Sequence, residues 1–170
     1  MEKVEIPLSK KKLVLGIIGS ILFVVLGAFV VMSKEPKLAS IFVKIAGIAG
    51  ILFFGATGVY GVIKSFDKSI GLTIDENGII DNSSASSIGL IKWSDITEIQ
   101  TSQVQSTKFL LIHTVNPDFY INKAKGVKRK VMEMNKRFYG TPLSIASTTL
   151  KYNFKDLEKL INDKFHKYVK

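Results

Sequence analysis

Two long apolar stretches without charge constrain this chain more than any other feature. The first, LVLGIIGSILFVVLGAFVVM, covers 20 residues from Leu13 to Met32, and the second, IAGIAGILFFGATGVYGVI, covers 19 residues from Ile45 to Ile63. A helix rises about 1.5 Å per residue, so each stretch reaches about 30 Å, the thickness of the hydrocarbon core of a bilayer. Because backbone groups in lipid must bond internally, the pattern predicts two membrane-spanning helices.

Two other interpretations fit the length of these stretches less well. A cleaved signal peptide has an apolar region of about 7–15 residues and an A-x-A-like site, whereas "SKEPKLAS" follows Met32. A buried core helix of a soluble protein rarely supplies two such runs separated by about a dozen residues. We therefore expect both helices to remain in the protein as an anchor.

The flanking charges predict the orientation of this anchor. Five lysines lie on the terminal sides of the two stretches: Lys10, Lys11, Lys12, Lys64 and Lys68. The connecting loop, Ser33–Lys44, carries three lysines and one glutamate, so the excess near the spans is small. The basic C-terminal region adds to it. The positive-inside rule then predicts a multi-pass membrane protein with both termini in the cytoplasm.

Small residues recur at four-residue spacing within the spans and predict close helix packing. They form three pairs: Gly16 with Ser20, Ala46 with Gly50, and Thr57 with Gly61. We expect them to pack the two helices into a hairpin, and a homo-oligomer face is the alternative. Neither span interior holds an ionisable residue, which argues against an ion pump, a channel or a transporter.

The rest of the chain predicts a soluble domain rich in short strands. Asn77-Gly78 should form a hairpin turn between Leu72–Asp75 and Ile79–Asn82. Three more strands are expected near 88–93, 96–101 and 108–115, with Trp93 as a core residue.

Two helices are expected after these strands, with one or two more strands between the helices in "PLSIASTTLKY". Asn116-Pro117-Asp118 is typical of a helix start, and the helix should run to Tyr139, with Gly126 weakening it. Its predicted buried face steps by 4, 3, 4, 3 and 4 residues: Tyr120, Ala124, Val127, Val131, Met134 and Phe138. Asn153 should cap a final helix that begins at Phe154.

Several segments resemble a bacterial pleckstrin-homology-like domain. The similarity rests on "IDENGIIDNS", "GLIKWSDITEIQ", "KFLLIHTVNPDFYI" and the helix from Phe154. Over nearly its full length, including "EIPLSKKK" and "YGTPLSIAS", the chain is similar to a family of small two-span bacterial membrane proteins of uncharacterised function. The resemblance implies an antiparallel sheet closed at one end by the C-terminal helix. The long basic helix departs from the standard domain, so no ligand site is transferred.

The chain as a whole is thus expected to be an α+β protein with three regions. Residues 1–12 form a basic cytosolic N-terminus, residues 13–64 a transmembrane helical hairpin, and residues 65–170 a cytosolic PH-like domain with a long basic helix and a C-terminal helix.

The sequence carries no pattern typical of catalysis or metal binding. It has no cysteine, which excludes disulfides, cysteine-ligated zinc and thiol nucleophiles. His113 and His166 have no ligand or triad partner at a suitable spacing, and phosphate-loop, dinucleotide and hydrolase motifs are missing. We expect no enzyme activity, no metal and no cofactor.

The predicted long helix carries the candidate binding residues. They are basic side chains on one segment: Lys125, Lys128, Arg129, Lys130, Lys136 and Arg137. Lys125, Arg129 and Lys136 are expected opposite the apolar face. A solvated helix face explains these charges as well as a binding surface does. Near a cytoplasmic leaflet, each could gain about 1 kcal/mol from anionic lipid. Nucleic-acid binding is not expected, because no reader motif accompanies the charges.

These features predict a membrane-tethered adaptor or scaffold that acts by binding. Its domain would recognise a protein partner or an anionic lipid headgroup at the bilayer surface. The alternative is an immunity or stress protein that protects the membrane by contacting a toxin or another membrane protein.

Overall fold

The computed structural model describes residues 3–35 and 40–169, and its α+β fold confirms the predicted class. The chain separates into two units, one formed by Lys10–Lys68 and the other by Met1–Ser9 together with Ser69–Lys170. We call them the helical unit and the β module. Part of the predicted connecting loop, residues 36–39, lies outside the described residues.

The helical unit consists of two long apolar helices. Helix α1 covers Lys10–Met32 and helix α2 covers Ile41–Ser65, so both predicted stretches are helical. Both helices are long and apolar enough to cross a membrane, and only 6% of the most apolar window of each is buried in the protein. The helices therefore present large apolar side chains, such as Phe29 (64% exposed) and Phe42 (80% exposed), to their surroundings.

The two helices pack against each other where glycines allow a close approach. A Cβ on Gly27 would lie 2.8 Å from the Ile51 side chain, and one on Gly47 would lie 3.0 Å from Val31. Midway along the pair, the rings of Phe23 and Phe54 stack at 4.2 Å. The contact face of α2 thus follows steps of four and three residues, which is the pattern of left-handed helix pairs.

Three of the six small residues predicted to pack the helices lie at this contact. Ser20 and Thr57 are within hydrogen-bond distance, at 3.3 Å, and a Cβ on Gly61 would lie 3.0 Å from Ile17. The prediction was wrong for the other three, because a Cβ on Gly16 or Gly50 would meet no atom within 4 Å and Ala46 is exposed. Four-residue spacing identifies small rows on a helix, but it does not say which row faces the partner.

The β module contains two antiparallel sheets. The first has the order β1-β2-β3-β4 and the second the order β5-β6-β7. In chain order, the strands are Val4–Pro7, Ile70–Ile74, Gly78–Asp81, Gly89–Lys92, Ile96–Val104, Thr107–Thr114 and Leu143–Ala146. The last helix of the chain, Phe154–Val169, is α5, and it contributes Leu157 and Ile161 to the core.

The first strand corrects the predicted domain boundaries. Residues 1–12 were expected to be a separate basic flank, but Val4–Pro7 pairs with β2, placing Ile6 opposite Leu72. Ile6 is 1% exposed and belongs to the core of the module. A four-residue strand is too short to recognise by periodicity, and its partner is remote in sequence. The helical unit is therefore inserted between two paired strands.

The predicted hairpin around Gly78 is confirmed. Leu72 pairs with Asp81 and Ile74 pairs with Ile79. Gly78 has φ +155, and a Cβ there would lie 2.0 Å from the carbonyl oxygen of Ile91. Only glycine fits this position, both for its backbone angle and for the close passage of β4.

The predicted long helix is two helices. Helix α3 covers Pro117–Lys123 and helix α4 covers Gly126–Tyr139. Ala124 and Lys125 are extended between them, and Gly126 has φ +57. Asn116 caps α3 as expected, because its side chain accepts a hydrogen bond from the Phe119 N–H. Gly126 was expected to weaken one continuous helix. Instead the helix is interrupted before Gly126, so α3 and α4 do not share one helical periodicity.

The break also changes which side chains are buried. Tyr120 and Ala124 are buried as predicted, but Val127, Met134 and Phe138 are exposed, and Met132 is the buried residue of α4. The spacing of the apolar residues from Tyr120 to Phe138 predicts a single buried face only if the helix is continuous. The predicted apolar face therefore faces outward on α4.

Candidate functional site

The excess positive charge of residues 65–170 is concentrated in one segment. Residues 117–139 contain seven of the sixteen basic residues and two of the eleven acidic residues of 65–170. The net charge of this segment is +5, which equals that of the whole of 65–170, so the other residues of 65–170 sum to zero. Any electrostatic attraction of this part of the chain for an anionic surface is centred on α3 and α4.

Half of the six predicted basic residues are engaged within the protein. Lys128 donates to the backbone oxygen of Ser87 at 2.7 Å. Arg129 pairs with Glu133 at 2.8 Å, and Lys136 pairs with Asp118 at 2.8 Å. Both ion pairs are largely exposed, so each contributes little to stability. These contacts nevertheless neutralise two of the charges and hold the three side chains.

The other three basic residues carry net charge toward the surroundings. Lys125, Lys130 and Arg137 are exposed, and within residues 3–35 and 40–169 they have neither an ion pair nor a side-chain hydrogen bond. The sequence grouped Lys125 with Arg129 and Lys136, whereas the structure separates Lys125 from those two. The distinction depends on Glu133 and Asp118, and the Asp118 contact comes from another helix.

Exposed apolar side chains form a row along the outer side of α4. Val127 is 78% exposed, Met134 is 56% exposed and Phe138 is 70% exposed. Steps of seven and four residues place them on one face of a helix. Lys130 and Arg137 lie beside this row, three residues after Val127 and Met134. We call these five residues the α4 outer face.

The opposite side of α4 attaches the helix to the module. Met132 is fully buried, and the Tyr139 ring meets the Phe109 ring edge-on at 5.4 Å between centroids. Gly140 ends the helix in a left-handed conformation, with its N–H donating to the Lys136 oxygen at 3.0 Å. The α4 outer face is therefore held on a packed helix, as a binding surface requires.

Trp93 is a core residue, as the sequence predicts. It is 3% exposed, its indole N–H donates to the Asp75 backbone oxygen at 2.8 Å, and its ring stacks on Tyr168 at 5.9 Å. A cleft of about 510 Å³ adjoins it, lined in part by Glu76 and Lys92. Since the ring of Trp93 is already covered, it has no free face for stacking with a ligand.

Asp95 connects the turn after β4 to α3. Its carboxylate accepts a hydrogen bond from the Tyr120 hydroxyl at 2.7 Å, and its backbone oxygen accepts one from the Val115 N–H at 2.9 Å. Burial, followed by the bond to Asp95, raises the pKa of Tyr120 above its ordinary value. Asp95 therefore serves the fold and positions the start of α3.

Among the described residues, no group of three or more histidines, cysteines or carboxylates could hold a metal ion. The Nε2 atom of His113 is buried and makes no hydrogen bond there. Its neighbour across the chain is Gly140, where a Cβ would lie 3.6 Å from the imidazole. Among the described residues, the candidate binding site is therefore the α4 outer face, which combines exposed basic and exposed apolar side chains.

Comparison of the chain with protein families, with characterised proteins and with solved structures gave no match.

Proposed function

We propose that this protein is a membrane-anchored binding module that works without catalysis. The helical unit spans the cytoplasmic membrane of a bacterium as a hairpin, and the β module recognises its partner at the cytoplasmic surface. The observation that carries the proposal is a pair of exposed apolar helices inserted between two paired strands of a polar folded module.

The exposure of the helices supports membrane anchoring. A soluble protein rarely leaves apolar patches of more than a few hundred Å² in water, yet almost the whole surface of α1 and α2 is apolar and uncovered. Lipid tails would cover these side chains at no cost in unsatisfied backbone groups. Cleavage behind α1 would remove β1 from its sheet, which supports an anchor that is retained.

The pairing of β1 with β2 supports a two-span topology. Pro7 precedes α1 and Ile70 follows α2, and these residues are partners in one sheet. Both ends of the helical unit must therefore enter the same compartment, which requires an even number of crossings. The lysines at positions 10–12, 64 and 68 favour the cytoplasm for that compartment.

The strand order supports a pleckstrin-homology-like assignment for the module. The sequence resemblance implies an antiparallel sheet closed at one end by a C-terminal helix, and the module has four antiparallel strands, then three more, then a C-terminal helix that enters the core. In this assignment the helical hairpin replaces the connection between the first two strands. A fold of this kind hosts binding functions on its surface, so the partner has to be argued from the site.

Membrane extraction and cysteine labelling test the anchor and its topology. We expect the full chain to stay in the membrane pellet after alkaline carbonate. The chain has no cysteine, so single replacements report accessibility without background. In intact cells a membrane-impermeant maleimide should label Ser40→Cys, in the loop between the helices, and should leave Lys155→Cys unlabelled until lysis.

Two results would count against the proposal. Release of the chain by carbonate would contradict the anchor. Labelling of Lys155→Cys in intact cells would place the module outside the cytoplasm and would contradict the topology. Glu98→Cys, on β5, serves as a second reporter for the module, because it is also exposed.

A further inference from the structure

The α4 outer face combines three properties that together define one kind of partner. It is apolar along a row, cationic along the adjacent row, and fixed to the module from behind by Met132. An amphipathic helix of this type lies at a lipid surface, with its apolar side chains among the acyl chains and its cations at the headgroups. We infer that the α4 outer face docks on anionic lipid headgroups at a bilayer surface. This inference rests on the proposed membrane anchor.

The exposed apolar row argues against a helix that is only solvated. A solvated helix face carries polar residues, whereas Val127 and Phe138 are each at least 70% exposed and lie near the two ends of α4. Removing such side chains from water stabilises a bound state, because the hydrophobic free energy grows with the apolar area that is buried.

The adjacent charges argue for an anionic lipid rather than a neutral surface. Lys130 and Arg137 lie about two helical turns apart on the same side of α4. No acidic residue of the described chain is paired with them. The two acids of residues 117–139, Asp118 and Glu133, are paired with Lys136 and Arg129. The outer face therefore keeps its full positive charge, which complements the anionic lipid of a cytoplasmic leaflet.

This assignment differs from the one that the sequence favours. Lys125, Arg129 and Lys136 were candidates for contact with lipid or a protein partner, but Arg129 and Lys136 are paired with Glu133 and Asp118. Reversal of Lys136 would also place like charges together beside Asp118 and disturb the junction of α3 with α4. Lys130 and Arg137 are the cleaner choice, because their replacement breaks no ion pair and no side-chain hydrogen bond among the described residues.

A fluorescent label on the outer face tests the inference on the full chain. Met134→Cys carries an environment-sensitive dye, and the protein is placed in lipid nanodiscs of phosphatidylcholine, with or without phosphatidylglycerol. Both faces of a disc are accessible, so the direction of insertion does not matter. We expect a blue shift and a severalfold rise in emission only when the anionic lipid is present. The same dye at Gln100→Cys, an exposed position on β5, should not respond.

Charge reversal separates docking by α4 from general attraction. Near an anionic surface, each cation raises the ratio of docked to free module about fivefold, so Lys130→Glu with Arg137→Glu should lower that ratio at least about 25-fold. The matched control is Lys155→Glu with Lys159→Glu, which reverses the same charge on exposed positions of α5. The control should leave the lipid response of Met134→Cys nearly unchanged.

Phe138→Ser tests the apolar contribution in the same assay. Because Phe138 is mostly exposed, its replacement should leave the unfolding temperature nearly unchanged while it reduces the lipid response. A response that survives both Phe138→Ser and the reversal of Lys130 and Arg137 would overturn the inference.

Other outcomes also overturn the inference and identify what replaces it. An equal loss in the α5 control would assign the effect to net charge. Emission that depends on the number of copies per disc, and not on lipid charge, would assign the face to a second copy. A silent label in a chain that resists carbonate would leave the anchor standing and remove the lipid contact, whereas release by carbonate would remove both.

Discussion

At the scale of single residues, the fold depends on a few positions where the side chain, or its absence, is dictated by a neighbour remote in sequence. Gly78 must lack a Cβ because the carbonyl of Ile91 passes 2.0 Å from where that atom would be. Tyr120 must keep its hydroxyl near the Asp95 carboxylate. The chain's one tryptophan is Trp93, a core residue of the β module, so its fluorescence reports on the unfolding of that unit.

Gly78→Ala should destabilise the module severely. The new Cβ meets backbone atoms that cannot rotate away, so we expect a loss of at least about 3 kcal/mol in the free energy of unfolding. Gly89→Ala is the matched control, because Gly89 also has a positive φ (+82) but a Cβ there meets no atom within 4 Å. It should cost about 1 kcal/mol from backbone strain alone. Urea unfolding of the full chain in detergent, followed by Trp93 fluorescence, measures both, and equal losses would contradict the clash.

Tyr120 should make the module sensitive to alkaline pH. An unfolded tyrosine loses its proton near pH 10, whereas burial and the bond to Asp95 raise the pKa of Tyr120 in the folded protein. The folded state then binds more protons, so stability falls as the pH rises above about 10. Tyr120→Phe should cost about 1–2 kcal/mol at pH 8 and should flatten this decline. Unfolding midpoints between pH 8 and 11 measure the slope, and equal slopes for the two proteins would refute the assignment.

At the scale of elements, the strand before the anchor matters as much as the strands after it. Strand β1 supplies Ile6 to the core and the edge partner of β2. A fragment that begins at residue 65 or 69 therefore lacks one strand of its sheet. The compact unit therefore differs from the predicted domain 65–170, because it also contains β1.

Ile6→Ala should cost about 2–5 kcal/mol, the usual range for truncating a fully buried aliphatic side chain. Glu5→Ala, on the same strand, should stay within about 0.5 kcal/mol, because Glu5 is exposed. Thermal unfolding of the full chain, again followed at Trp93, compares the two. If Ile6→Ala unfolds like the parent protein, β1 does not belong to the cooperative core.

At the scale of the whole molecule, the sequence of the helical unit is inserted into the sequence of the β module. The helical unit occupies the connection between β1 and β2, so the module is covalently held at two points. Because each unit has its own internal packing, the β module should fold without the helices if its two pieces stay connected.

Replacing residues 10–68 by a short flexible Gly/Ser linker should therefore give a soluble protein with Trp93 buried. Closing a shorter loop costs less chain entropy, so the unfolding midpoint should match or exceed that of the full chain. Size-exclusion chromatography and near-ultraviolet circular dichroism of the purified protein test this. An aggregated product, or one without fixed aromatic signals, would mean that the module depends on the helices for folding.

The sequence by itself determined the features that are set by local chemistry: two apolar helices, the hairpin at Asn77-Gly78, the caps at Asn116 and Asn153, and a buried Trp93. Three others depended on tertiary structure. Strand β1 is recognised only from its pairing with β2. The contact between α1 and α2 depends on which row of small residues faces the other helix. The outward side of α4 depends on the break at Gly126 and on the burial of Met132. The reason is physical. Periodicity and capping act over a few residues, whereas pairing, burial and ion pairs such as Lys136 with Asp118 depend on which distant segments the fold brings together.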